Sequence, residues 1–307
     1  MRRDNLMGWC GACGVLLMVS GCALSPLGKR ATAFSTAATA TTLQVKNGYQ
    51  VVEQSYYDVQ VANLVKTFDS QGFEPGKIQP FLSEPDMKVR TQLLEGLQQY
   101  ATLLAAVSGD TAVTALDKQS EAVGQDLTSL SKDSGLKSLE KNSTIEGGVA
   151  AAAVDALGRV LMEHKTAKEL PSILDTMQKP VDEICQLLEE DIGDPQKGGL
   201  RNELKVDYDQ LIADQRAYIY ANEKTMSPDE KQAAIAKLPQ LAVTEKQDDA
   251  ALAQTQEALK RLATTHDALV DTKKNKDAPA FDSLVSQLAV QGQQLGDVYS
   301  AATKKGK

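Results

Sequence analysis

Apolar side chains in this chain recur at steps of three and four residues almost from end to end, and that period belongs to the α-helix. From Leu43 onward, Val45, Tyr49, Val52, Tyr56 and Val59 mark one helical face, and Tyr57, Val61, Leu64, Val65 and Phe68 add a second. The pattern predicts one long, widely buried helix. Strict alternation of apolar and polar residues never persists, so no half-buried strand is expected. Val89, Leu93, Leu97, Tyr100 and Leu104 mark the next helix. It opens at Ser83-Glu84-Pro85-Asp86, an N-cap followed by proline and acids in the first turn, and stops at Gly109. Asp110 is placed to cap a third helix carrying Val113, Leu116, Val123, Leu127 and Leu130. So tight a connection predicts an antiparallel hairpin.

A polar loop is expected from Lys132 to Ser143, before a helix with Ile145, Val149, Val154, Leu157, Val160 and Leu161. Gly147, Gly148 and Ala150 to Ala153 in that stretch would let another helix come close, while Asp155 and Arg159 keep it from being a membrane span. Ile173, Met177, Val181, Ile184, Leu188 and Ile192 continue the period, with Pro180 inside it predicting a kink or break near Lys179. Residues Gly193 to Gly199 form the clearest boundary. Beyond it, helix is expected from Leu200 to Met226, and Ser227-Pro228-Asp229-Glu230 opens a shorter one ending by Leu238, before Pro239. Two more should run from about Glu245 to Thr272 and from Asp277 to Thr303, each with one apolar seam. The fold class read from these patterns is all-α: a bundle of about seven to nine helices arranged as antiparallel hairpins, with an N-terminal helical half over 43–192 and a C-terminal half over 200–303.

Composition narrows the function. With 33 basic against 41 acidic side chains the formal charge is −8, which does not supply the basic surface that nucleic acid requires. Four cysteines in 307 residues are too sparse for a disulfide scaffold.

The first residues carry more information than any others. Arg2 and Arg3 precede an apolar stretch from Leu6 through Trp9 to Val19, which ends in the small residues Ser20 and Gly21 ahead of Cys22. This is the layout of a secretory signal over 1–21, too short to span a bilayer stably. The run Val19-Ser20-Gly21-Cys22 resembles the lipobox of bacterial lipoprotein precursors. The resemblance covers the signal alone and implies that Cys22 becomes the mature N-terminus, carrying a diacylglyceryl thioether and a further acyl chain on its amine. Each buried methylene contributes about 0.8 kcal/mol, so two or three chains hold a protein stably. Ala23 stands where an Asp would imply inner-membrane retention, so the expected location is the outer membrane, facing the periplasm. Removing residues 1–21 takes Arg2, Arg3 and Asp4 away, leaving 286 residues with 31 basic and 40 acidic side chains, a charge of −9. Cys185 is then the one free thiol expected. Residues 22–42, rich in Ala, Thr and Ser, read as the lipidated cysteine and a flexible tether that turns helical toward its end, whose twenty residues would span roughly 25 Å if flexible.

Candidate chemistry is thin. His164 and His266 have no second histidine at metal-ligand spacing, and His266 falls on an apolar stripe, which suits a buried, hydrogen-bonded histidine. Cys185, beside Ile184, reads as core. Ser129 to Lys132, Ser134 to Lys137 and Ser138 to Lys141 are Ser-x-x-Lys strings without the Lys-Thr-Gly strand that penicillin-binding enzymes require. The acidic clusters Glu189-Glu190-Asp191 and Asp207-Tyr208-Asp209 do not fit a calcium loop and read as solvated helix faces. No phosphate loop, nucleophile elbow or HExxH string occurs. Most of the aromatic surface is tyrosine, which suits either a partner face or residues bridging core and solvent. No catalytic, cofactor or metal residue is expected, and Cys22 is the one modification site. The expected role is a non-enzymatic envelope lipoprotein whose helical domain is a protein-interaction or structural platform, binding another envelope protein or helping to organise an envelope complex. The alternative is a helical module that binds a lipid, peptide or cell-wall fragment.

Overall fold

The computed structural model describes residues 25–71, 76, 78–109, 114–163, 166–273 and 279–305. They form nine α-helices: α1 (Pro26–Gln71), α2 (Glu84–Ser108), α3 (Thr114–Leu130), α4 (Ser134–Lys141), α5 (Val149–Met162), α6 (Leu170–Ile192), α7 (Leu200–Asn222), α8 (Pro228–Asp271) and α9 (Pro279–Lys305). The all-α class and the number of helices agree with the sequence pattern. Two predicted caps are made: Ser83 accepts the amide of Asp86, and Ser227 and Glu230 close a reciprocal capping box, while Asp110 lies outside the described residues. One core runs through both predicted halves, from Ala31 and Phe34 in α1 to Phe281 and Leu288 in α9. The Gly193–Gly199 boundary is therefore a turn within a single core. Its glycines are required, since Gly193, Gly198 and Gly199 hold φ of 73°, 138° and 83°.

Several expectations are corrected. Where a tether to residue 42 is expected, the chain from Pro26 is already the first turn of α1, and Ala31, Phe34, Ala37 and Ala38 are core. Ala and Thr look like linker composition, but in a helix small side chains allow close packing. Thr32, Thr36 and Thr42 return their hydroxyls to carbonyls one turn back, so their polarity is satisfied locally. The second apolar face of the same helix is only partly covered, with Val61 and Leu64 half-buried and Tyr57 and Val65 exposed. The polar loop over 132–143 contains α4, whose Leu136 and Leu139 are buried. Pro180 does not break α6, because Met177, Val181 and Ile184 are core residues on either side of it and hold the helix in register. Pro239 likewise lies inside α8, which spans 44 residues in all. The close helix approach is not at Gly147 and Gly148, which face open space, but at Gly158. There α5 crosses α3 so tightly that a Cβ on Gly158 would stand 2.8 Å from the Gly124 carbonyl oxygen.

Contacts along the helices order them lengthwise. Gly28 lies against Ser108, Phe34 against His266, and Lys273 donates to the Pro171 carbonyl, so the start of α1, the ends of α2 and α8 and the start of α6 share one end. Midway along α1, Tyr49 meets Asp191 at the end of α6, and Gly48 meets Tyr299 near the end of α9. Past that level α1 continues beside α7, Ser55 bonding Asp207. Antiparallel to α7 runs the first half of α8, with Gln215 donating to the Ala234 carbonyl and Glu223 pairing with Lys231 near the turn. The molecule is thus a many-helix base with a three-helix arm. At 1.5 Å per residue, α1 and α8 are each about 65–70 Å long and run through both parts.

Candidate functional site

The polar side chains that sequence reading left on the surface gather at the neck where arm meets base. Arg90 of α2 forms a fork onto Asp191, Nε to Oδ2 at 2.8 Å and a terminal nitrogen to Oδ1 at 2.5 Å. Both side chains are about 90% buried, with 10% and 8% exposure. Tyr49 donates its hydroxyl to the same carboxylate at 3.1 Å, and the guanidinium lies 5.9 Å from the centre of its ring. Burial works against the Arg90 charge, but the Asp191 hydrogen bonds and charge outweigh it and hold the guanidinium above its ordinary value. Burial first, then the Asp191 charge, push the Tyr49 phenol well above the usual range. A second fork joins Arg201 of α7 to Asp249 of α8, and Arg201 also donates to Gln256. Gln256 in turn donates to the carbonyls of Glu189 and Gly193, closing the end of α6. Tyr208 donates to Asp248, and the Thr255 and Tyr299 hydroxyls share a bond of 2.5 Å.

Asp191 and Asp207 therefore do not sit on solvated helix faces, as expected, but inside this network. Their partners lie far away in sequence, 101 residues for Arg90 and 152 for Ser55, and helical periodicity carries no signal for such pairs. Asp207 loses water on burial and its carboxyl is pushed up to about 6, although the Ser55 hydroxyl works in the other direction. Asp182, on α6, is likewise pushed up to about 6 by burial and by the charges of Asp267 and Glu183.

The other candidate residues resolve into structural roles. His266 is fully buried beside Phe34, with Nε2 2.8 Å from the Tyr100 hydroxyl, and burial lowers its pKa to about 3. A neutral imidazole in such a place is a packing group. Cys185 is buried, and desolvation raises its thiol far above the range in which a nucleophilic thiolate forms. In the Ser-x-x-Lys strings, Lys132, Ser134, Lys137, Ser138 and Lys141 are all exposed, and Ser129 spends its hydroxyl on the Gln125 carbonyl. His164 and Cys22 lie outside the described residues. Among the described residues no cluster of three metal-ligating side chains occurs, and no helix is long and apolar enough to cross a membrane.

What sequence reading missed is the distribution of uncovered apolar surface. Among the described residues nine large apolar side chains are exposed, and seven of them sit on the arm: Tyr57 and Val65 on α1, Val206, Tyr218 and Tyr220 on α7, and Ile235 and Val243 on α8. Val65 and Tyr220 are 72% and 76% exposed. The tyrosines divide accordingly, since Tyr49, Tyr100, Tyr208 and Tyr299 are buried in base and neck while Tyr57, Tyr218 and Tyr220 face out from the arm. On the base, an open groove of about 470 Å³ between α8 and α9 is lined by amides and Arg261, with Val290 its one large apolar residue. The groove is open along its length and does not enclose a ligand as a binding cavity does.

Comparison with family models, with curated proteins and with solved structures finds no match to this chain.

Proposed function

We propose that this chain is a lipid-anchored envelope lipoprotein of the outer membrane, held by acyl chains on Cys22, whose periplasm-facing helical domain is a non-enzymatic platform that presents its arm to another envelope protein. One observation carries the interaction role: seven of the nine exposed large apolar side chains lie on the arm. A base of the same chain buries such residues almost completely, so the arm's surface is not a general failure of packing. The anchor rests on the order of charge, apolar run, small residues and Cys22 at the N-terminus. The non-enzymatic reading is supported by His266, Cys185, Asp191 and Asp207, each engaged in packing or internal bonds.

Photo-crosslinking in intact cells tests the interaction. A photoreactive residue at Tyr218, Tyr220 or Ile235 is expected to give one discrete adduct that the same probe at Val290 on the base does not give. Adducts from Val290 alone would refute the arm as the contact surface. Intact mass of the membrane-extracted protein tests the anchor, with residues 22–307 plus acyl groups expected. A chain without acyl groups would refute it.

A further inference from the structure

We infer that the base end of the bundle rests against the lipid headgroups while the arm stands away from the bilayer, so that the surface offered to anionic lipid is the base end alone. This rests on the reading of Cys22 as the acylated residue.

Cys22 is followed four residues later by Pro26, the first residue of α1. Four extended residues reach at most about 14 Å, so the first helical turn is held close to the headgroups. That turn is no free stalk. Gly28 is buried against Ser108, and Ala31 and Phe34 are 0% and 2% exposed, so lengthening the connection would strip these residues from the core. Whatever holds Cys22 therefore also holds the end of the base where α2 and α8 finish and α6 begins.

From this end α1 runs without interruption into the arm. Val65 lies 39 residues beyond Pro26, about 60 Å along the helix axis. The helix could in principle lie flat, but its charge distribution opposes that. Among the described residues at the base end, Lys29, Arg30, Lys168 and Lys273 stand against Glu163, Glu169, Asp175, Asp271 and Asp282, an excess of one acid. Residues 200–250, which form most of the arm, carry ten acidic side chains against seven basic ones. An arm with that excess of three acids is repelled by anionic headgroups once within a Debye length of about 8–10 Å, more strongly than the nearly balanced base end. The upright position keeps the exposed apolar residues out of the lipid and displays them about 45–60 Å above it, where a partner has to reach them.

The sequence supplies a clean reporter, because the one tryptophan, Trp9, lies in the signal and the chain from Cys22 onward has none. Residues 22–307 are coupled through Cys22 to a maleimide lipid in vesicles containing phosphatidylglycerol and a dansyl-headgroup lipid; buried Cys185 does not compete. Energy transfer is measured from a single tryptophan placed at an exposed site, Ala33→Trp at the base end or Tyr220→Trp on the arm. Strong transfer from Ala33→Trp and background transfer from Tyr220→Trp are expected. Equal transfer from both sites, or transfer from Tyr220→Trp alone, would overturn the orientation. Circular dichroism of each variant confirms that the helices are intact. The coupling is chemical, so the result does not depend on whether cells acylate Cys22, which the N-terminal mass reads separately.

Discussion

Removing the Asp191 carboxylate strands a buried guanidinium, and the structure sets the size of the effect. Arg90 and Asp191 are 10% and 8% exposed, and the carboxylate accepts two bonds from Arg90 and one from Tyr49. Breaking one side of such a pair costs about 3–5 kcal/mol, because the remaining charge has lost its water without keeping its partner. In a chain of this length each kcal/mol lowers the melting temperature by about 2–4 °C, so Asp191→Ala should melt on the order of 10 °C below the parent. Replacing the whole set is a different perturbation. In Tyr49→Phe/Arg90→Met/Asp191→Leu no charge or hydroxyl is left without a partner, and the loss should shrink to about 1–2 kcal/mol. Urea denaturation followed by circular dichroism reads both variants. The loss in Asp191→Ala should persist in 1 M salt, since buried pairs are weakly screened. A triple variant as damaged as Asp191→Ala, or an Asp191→Ala variant as stable as the parent, would refute the assignment of the loss to a stranded charge.

Other predictions follow from single sites. Asp182 has a folded pKa of about 6, raised above the ordinary carboxyl value, so its ionisation destabilises the fold as pH rises from about 4 to 7. Asp182→Asn should therefore stabilise at pH 7, by about 1 kcal/mol once solvent screening of a half-buried group is allowed for, and the gain should vanish near pH 4 in urea titrations. His266 acts in the opposite direction: its folded pKa of about 3 lies below the unfolded value of about 6.5, so stability falls as pH drops from 6.5 towards 3. Tyr100→Phe/His266→Leu should flatten that acid limb. At the α3–α5 crossing, Gly158→Ala places a methyl group 2.8 Å from the Gly124 carbonyl oxygen and should cost about 1–3 kcal/mol, read as a lower urea midpoint. Cys185 should fail to react with a thiol reagent until the chain is denatured, and fast labelling of the folded protein would contradict its burial.

The fold class was legible because periodicity is local, and the caps at Ser83 and Ser227 were legible because each involves only neighbours in sequence. Pro180 and Pro239 misled for the same reason: a proline's penalty is visible locally, whereas the packing of Met177, Val181 and Ile184 that outweighs it is not. Residues 26–42 were misread because Ala and Thr serve a linker and a close helix contact equally well. The neck network was invisible, since nothing near Asp191 points to Arg90 101 residues earlier. Exposure on the arm was missed in the opposite sense. Val61, Leu64 and Val65 have the spacing of a covered face, and only the arm's three-helix cross-section leaves part of that face open.

Because α1 and α8 each run unbroken from base to arm, a pull on the arm is carried differently from one on the chain that precedes Pro26. Tension at the turn between α7 and α8 separates two antiparallel helices one contact at a time, a weak geometry that peels. Tension along α1 instead slides it past α2, α8 and α9 together, so many contacts must fail at once. The arm should therefore give way under lateral load while the base holds, leaving the arm able to zip closed again when the load is removed.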